Sequence, residues 1–422
     1  MTPEADAGRL AARAAEDAAR RSYGKLIACL AAQTRDLAEA EDALAEAFAL
    51  ALDNWPRQGT PASPEAWLLT AARRRFLDAR RRGRTRTDAV PRLEAMMDEL
   101  AADQAAERPI PDDRLRLIFA CAHPAIDAAA RAPLILQTVL GMDAAAIASA
   151  FLVSPSAMSQ RLVRAKAKIR DAGIPFSEPD LEAAPQRLED VLDAVYAVFT
   201  QGWSDPAGAD PKSRGLVEEA LYLARLICAL IPAEPEPKGL LALMAYAHAR
   251  RGARRGGDGR FVPLDAQDTA LWDSGLIEEA EALMLEAVRL GRMGRFQLEA
   301  AIQSAHAHRR LTGVTDWPAV VDLYDGLVAL TGSVVAALNR AVALSRSRGP
   351  QAGLAALDAV AGDPRLADYQ PYWAARADLC QRAGDRDQAE HAYLRAIGLE
   401  SDPAVRTLLQ DRLEALRMDA CS

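Results

Sequence analysis

The sequence predicts an all-α protein, and three features carry that prediction. Half of the residues are hydrophobic but only 5% are aromatic, and Ala, Leu, Arg and Glu dominate; unbranched side chains lose little rotamer freedom in a helix. No run of alternating β-branched residues is long enough to seed a sheet. Apolar residues instead recur at helical spacing along most of the chain. With 422 residues there is room for two or three domains with cores of their own.

In chain order, residues 9–52 carry helical periodicity and LDNWPRQGTPASP follows as a loop. The segment DLAEAEDALAEAFALAL reads as amphipathic, with Leu37, Leu44, Phe48 and Leu52 inward and Glu41, Asp42 and Glu46 exposed. Such an acidic face is either solvated or a docking surface for a basic partner helix. A new helix starts near Pro64, a residue suited to a first helical turn. It places Trp67, Leu68 and Ala71 inward and Arg73, Arg74, Arg80 and Arg81 largely outward. An aromatic-anchored helix with clustered arginines can follow a phosphate backbone and support unstacked bases. Residues 84–111 read as a polar, acidic linker, 112–174 as a compact helical block, and 175–186 as a second, proline-containing linker.

The most informative stretch is RAPLILQTVLGMDAAAIASAFLVSPSAMSQRLVRAKAKIRDAG. Pro133 is expected to begin a helix that ends at Gly141, and Asp143 to cap the next. After a short apolar turn, Ser154 is a good N-cap and Pro155 fits the first position of a helix that runs to Asp171 and stops at Gly173. Met158, Leu162, Ala165 and Ile169 form its inward stripe. The other faces carry Ser159, Gln160, Arg161, Val163, Arg164, Lys166 and Lys168. Short polar residues near the start let a helix approach base edges in a major groove, and cations further along hold phosphates. The pattern is that of a DNA-binding helix-turn-helix.

Residues 187–422 read as helical again, broken near 232–237, 256–259, Gly313 and 362–364. Near the end, Trp373, Ala377, Ala389, Tyr393 and Ala396 have the spacing of a tetratricopeptide repeat, with a weaker echo over residues 339–357. Such repeats build concave surfaces for a peptide or another domain. Regulation in cis, a separate protein ligand and a small-molecule sensor all remain open for this part. Asp265, Gln267, Asp268 and Trp272 are candidate lining residues of a regulatory pocket, although residues of this kind more often cap helices. His306 and His308 are two apart and make a poor metal pair.

Charge divides the chain. The net charge is −8, yet residues 1–170 carry about +3 and the remainder about −11. Eight arginines against one acid lie between Arg73 and Arg86, and five bases with no acid between Arg161 and Arg170. Two basic patches on an acidic protein suggest two contacts with a polyanion. The five cysteines are scattered and form no CxxC pair, which argues against a zinc site or a disulfide framework and for a reducing cytoplasm. No apolar stretch approaches the roughly 20 residues of a membrane span, and MTPEADAGRL is unlike a signal peptide. GARRGGDGR lacks the Lys-Ser/Thr of a phosphate loop, and no nucleophile-histidine arrangement stands out. Neither catalysis, a cofactor nor a metal is expected.

Taken together, these segments resemble sigma-70-type sigma factors of the extracytoplasmic-function group. AEDALAEAFALAL looks like that group's polymerase-docking helix, WLLTAARRRFLDARRR like its helix for promoter melting and minus-10 recognition, and the helix-turn-helix like its minus-35 reader. DDRLRLIFACAHPAID, GLLALMAYAHARR, LDAQDTALWD, TDWPAVVDLYDGLVAL and ALNRAVAL resemble stretches of one subgroup with a tetratricopeptide-like C-terminal extension. The resemblance implies a region 2 domain over residues 1–83, a region 4 domain over 112–174 and a regulatory domain over 187–422. It implies that Glu41, Asp42 and Glu46 face the β′ clamp helices of core RNA polymerase, with the β flap as a further contact of the chain. It places Ser159, Gln160, Val163 and Arg164 toward minus-35 bases, Arg161, Lys166 and Lys168 near phosphates, and Trp67, Arg73, Arg74, Arg80 and Arg81 near the minus-10 region. Asp98, Glu99, Asp103 and Glu107 would thread through polymerase. Ala45, Arg74 and Ser159 replace a Gln, an Asn and a cation common in the group, which bears on promoter sequence and not on class. A stand-alone helix-turn-helix regulator with a repeat sensor domain accounts for the helix-turn-helix and the repeats, but leaves the acidic and arginine-rich helices unexplained.

Overall fold

The computed structural model describes residues 3–83, 112–151, 153–177, 180–181, 185–203 and 211–418. Among the described residues every regular element is helical, and strand pairing is limited to an isolated bridge between Arg255 and Phe261. None of the described helices is long and apolar enough to cross a membrane. The chain divides into two compact units, residues 1–201 and 202–422.

The first unit begins with α1 (Pro3–Thr34) and α2 (Leu37–Gln58). The continuous periodicity of the sequence is interrupted because Arg35 adopts a left-handed φ of 57°. Asp36 then caps α2, its carboxylate accepting from the amides of Ala38 and Glu39 at 2.9 and 3.2 Å. Helix α2 also runs further than the proline-rich sequence suggests. Its last turn holds Trp55, 3% exposed, which meets Trp67 edge-on at 5.5 Å. That buried ring compensates for Pro56, which lacks the N–H of a helical turn. The inward stripe of α2 is Leu37, Ala40, Leu44, Ala47, Ala51 and Trp55, whereas Leu52 is exposed. Steps of four walk off the face of a helix with 3.6 residues per turn, so Leu52 lies beyond the stripe that begins at Leu37. Helix α3 (Pro64–Gly83) buries Leu68, Leu69, Ala72 and Phe76 against this pair.

Beyond residues 84–111 come α4 (Arg114–Cys121), α5 (Ala128–Leu140), α6 (Ala144–Ala150) and α7 (Pro155–Asp171). Helix α5 starts before Pro133, since Asp127 caps it through the Ala129 amide at 2.9 Å. Pro133 is then interior and buried, packed among Ala132, Leu134 and Ile135, and this apolar burial outweighs its missing hydrogen bond. Helices α1 and α5 touch at backbone distance: a Cβ on Gly24 would lie 2.4 Å from the Val139 carbonyl oxygen. At the end of α5, Gly141 takes a left-handed φ of +71° beside the Tyr23 ring. Helix α8 (Gln186–Trp203) joins this unit through the Arg131–Asp190 ion pair at 2.6 Å and an Arg187 bond to the Phe119 carbonyl at 2.6 Å.

The second unit contains α9 (Pro211–Leu230), α10 (Pro235–Ala249), α11 (Ser274–Arg289), α12 (Arg295–Ala307), α13 (Arg309–Thr312), α14 (Trp317–Thr331), α15 (Val334–Arg348), α16 (Pro350–Asp358), α17 (Gln370–Ala383), α18 (Arg386–Leu399) and α19 (Pro403–Met418). Helix α10 is apolar almost all round, with residues Leu240 to Tyr246 buried, as a central helix must be. Gly239 lets α12 approach, because a Cβ there would sit 2.6 Å from the Gln297 amide nitrogen. Glu236 satisfies the open N-terminus of α12 by accepting from Phe296 and Gln297 amides at 3.0 and 3.2 Å. Toward the end, Ala377, Ala389, Tyr393 and Ala396 are each 0% exposed and Trp373 packs against them.

Candidate nucleic-acid interface

Helices α6 and α7 are built as their caps require. Asp143 accepts from the Ala146 amide at 2.8 Å, and Ser154 from Ala157 at 3.2 Å with Pro155 at the first position. Met158, Leu162, Ala165 and Ile169 are all buried, which fixes the rotation of α7. Ser159, Gln160, Val163, Arg164 and Lys168 are consequently exposed, Val163 to 65%. Arg161 is half-buried and donates to the Ala129 carbonyl at 3.3 Å.

Lys166 behaves differently from its neighbours. It is bonded to Glu41 of α2, and the two side chains are only 12% and 15% exposed. One turn further on, Arg170 approaches Asp36 at 3.7 Å. Burial raises the Glu41 pKa, partly offset by Lys166, and its second carboxylate oxygen is enclosed without a hydrogen-bond partner. The expectation that Glu41 is exposed is therefore corrected: packing of α1 on α5 brings α7 over the start of α2 and covers it. Asp42 and Glu46 remain exposed, with Glu46 lying 3.6 Å from Arg75.

On α3, Arg74 is exposed. Arg73 is not outward as its position suggests: it donates to Gln33 at 3.1 Å and to the Cys29 sulfur at 3.4 Å on α1. A long side chain at the edge of an apolar stripe can fold back in this way. Trp67 is half-buried in its edge contact with Trp55, and Ser22 donates to Glu65 at the start of the helix. The side chains of Arg80 and Arg81, and the linker acids Asp98, Glu99, Asp103 and Glu107, lie outside the described residues.

Of the four candidates in the C-terminal pocket, Asp265 lines a cavity together with Arg309 and Trp317, and the other three do not line that cavity. Gln267 is buried and donates to the Val262 carbonyl at 3.1 Å, while Asp268 caps a short 3-10 turn through the Ala270 amide. Trp272 is buried beneath the Arg309 guanidinium, 5.3 Å from its ring centre. These three do what capping and core residues do. Sequence reasoning missed Arg309, which ties down this loop, because a basic residue after a helix end carries no sign of its partners. His306 and His308 do not converge: the first is half-buried against Trp317 and the second exposed. No group of three or more potential metal ligands occurs among the described residues.

Comparison with known proteins places this geometry. Residues 18–86, which include all of α2 and all of α3, match Sigma-70 region 2. This match supports a sigma-70-type factor with a role in transcription initiation. The chain is 40% identical over 388 residues to an uncharacterized protein of Rhizobium meliloti (strain 1021), covering 90% of this chain and 91% of that protein, and it belongs to the same family. Residues 187–288 match a family of unknown function (DUF6596). No solved structure matches the chain.

Proposed function

We propose that this protein is an alternative sigma factor of the extracytoplasmic-function group that binds core RNA polymerase in the cytoplasm and directs promoter-specific initiation. The observation that carries the reading is a Sigma-70 region 2 followed by a capped two-helix unit whose second helix exposes Ser159, Gln160 and Arg164. In this reading residues 1–83 dock on the β′ clamp helices through Asp42, Glu46 and Glu41, and contact the minus-10 region through Trp67 and the arginines of α3. Residues 112–174 form the helix-turn-helix that reads the minus-35 element and meets the β flap. Arg161, Lys166 and Lys168 supply phosphate contacts there. Residues 187–422 form a tetratricopeptide-like modulator, which the interlocked Ala377, Ala389, Tyr393 and Ala396 support. Its target is the sigma domains themselves or a separate protein.

The chain supplies recognition, and polymerase supplies nucleotidyl transfer. Glu41 and Lys166 cannot serve polymerase and DNA while bonded to each other. Loading therefore requires α2 and α7 to separate. A stand-alone regulator would have no use for region 2, which disfavours that alternative.

Run-off transcription with purified core polymerase and supercoiled bacterial DNA tests the reading. Promoter-specific transcripts dependent on this chain are expected; DNA binding without core and without transcripts would reverse the ranking. On a promoter found this way, Arg164→Ala should weaken minus-35 recognition by about 1–3 kcal/mol. Unchanged selectivity would remove Arg164 from the base-reading set.

A further inference from the structure

A cavity of about 230 Å³ lies in the second unit between the Leu264–Ala266 turn and helices α12, α14 and α15. Its rim is held by Arg309, whose guanidinium donates to three backbone carbonyls, those of Leu264, Asp265 and Gln267, at 3.0, 2.6 and 2.9 Å. Arg346 closes the side with one ion pair to Asp265 at 2.9 Å. Trp317 and Tyr324 of α14 form the flat apolar wall, backed by Val320 and the core cluster behind it.

Several polar groups on this lining have no partner within the protein. The Tyr324 hydroxyl, the Asn339 amide and the His306 ring nitrogens make no hydrogen bond, although Tyr324 and His306 are largely enclosed. None of these atoms is sealed from solvent, and Asn339 is exposed, so each is open to a ligand that enters the cavity. Burial pushes the Tyr324 hydroxyl up to about 12, so it is a donor at neutral pH. Burial and the cations Arg250 and Arg309 lower His306 to about 4, so it is neutral and adds no charge. Asp265 balances one of the two arginines, which leaves the lining one positive charge in excess. Donors outnumber acceptors, and the Arg346 guanidinium has N–H groups beyond the one bound to Asp265.

We infer that this cavity is a binding site for a small, flat monocarboxylate, most simply an aromatic acid whose ring lies on Trp317 and whose carboxylate meets Arg346, Tyr324 and Asn339. Charge excess and donor excess select the anion. The aromatic wall selects a planar body. Size selects a small one, since the volume falls below the roughly 300–1,000 Å³ of drug-sized sites. The inference is independent of promoter recognition, because every residue used belongs to the second unit.

The test is calorimetric titration of the full-length protein with benzoate, 4-hydroxybenzoate and indole-3-carboxylate, each beside its neutral amide. At least one acid should bind at a single site, with its amide weaker by about tenfold or more. Arg346→Ala and Tyr324→Phe should each weaken the acid by about tenfold, and thermal unfolding checks that both variants fold. Tyr324→Phe keeps the ring and removes only the donor, which separates a lost contact from a lost wall. Three results would overturn the assignment: no saturable binding by any acid at millimolar concentration, acid and amide binding alike, or binding unaffected by both substitutions. A short peptide ending in an aromatic residue, binding more tightly than the free acids, would replace the small ligand with a peptide terminus.

Discussion

His306 makes acid the natural probe of the C-terminal helices. Its imidazole stands edge-on to Trp317 at 5.5 Å, and its pKa falls from 6.5 to about 4 because burial and nearby Arg250 and Arg309 disfavour the cation. A folded pKa below the unfolded one gives stability that is fully present above pH 6.5 and is lost as pH falls toward about 4. The whole span corresponds to about 3 kcal/mol. Urea unfolding of the second unit should therefore weaken through that window, and His306→Gln should flatten the dependence; equal slopes in both proteins would contradict it. Gly24 is a second residue whose role is steric. Alanine there gains about 1 kcal/mol of helix propensity, but its Cβ meets the Val139 carbonyl oxygen at 2.4 Å. We expect a net destabilisation of about 1–3 kcal/mol in chemical unfolding, and a stabilised variant would mean that α1 and α5 are not packed this closely.

At the scale of elements, helix α7 shows how far periodicity carries. Met158, Leu162, Ala165 and Ile169 repeat at steps of three and four, and all four are buried. Ser154 and Gly173 bound the segment, the first as a cap and the second with a left-handed φ of +61°. Helix α2 was legible in its amphipathic character and in the burial of Leu37 and Leu44, but not in its ends or in the placing of Glu41 and Leu52. A proline near a tryptophan resembles a loop until the partner ring, Trp67, is known. The contact between these two helices gives a prediction of its own. Lys166→Met removes the cation facing an enclosed carboxylate and should cost about 3 kcal/mol. Combining it with Glu41→Gln should recover most of that loss, as a double-mutant cycle in urea would reveal. Additive losses would indicate that the two side chains do not interact.

At the scale of the whole molecule, the proposed function demands a rearrangement of the first unit. Helices α2 and α7 touch through Glu41–Lys166 and Asp36–Arg170, which occupies faces assigned to polymerase and to DNA. Spin labels placed at the exposed positions Asp53 and Asp171, with reactive cysteines replaced, should report a single distance in the free chain. Binding of core polymerase should lengthen it. A stable complex that leaves the distance unchanged would show that docking does not use Glu41.

Local chemistry, written into neighbouring residues, determined the helical class, the caps at Asp143 and Ser154, the buried stripe of α7, the separation of charge along the chain and the likeness to sigma factors. These depend on spacings of three or four residues and on composition, which one strand of text contains in full. Tertiary structure alone decided that Glu41 is enclosed, that Arg73 turns onto Gln33, and that Arg309 gathers three carbonyls from a loop over forty residues away. Each of those outcomes depends on a partner distant in sequence. A side chain's charge and size fix what it is able to bond, whereas the packing of other helices fixes what stands within its reach.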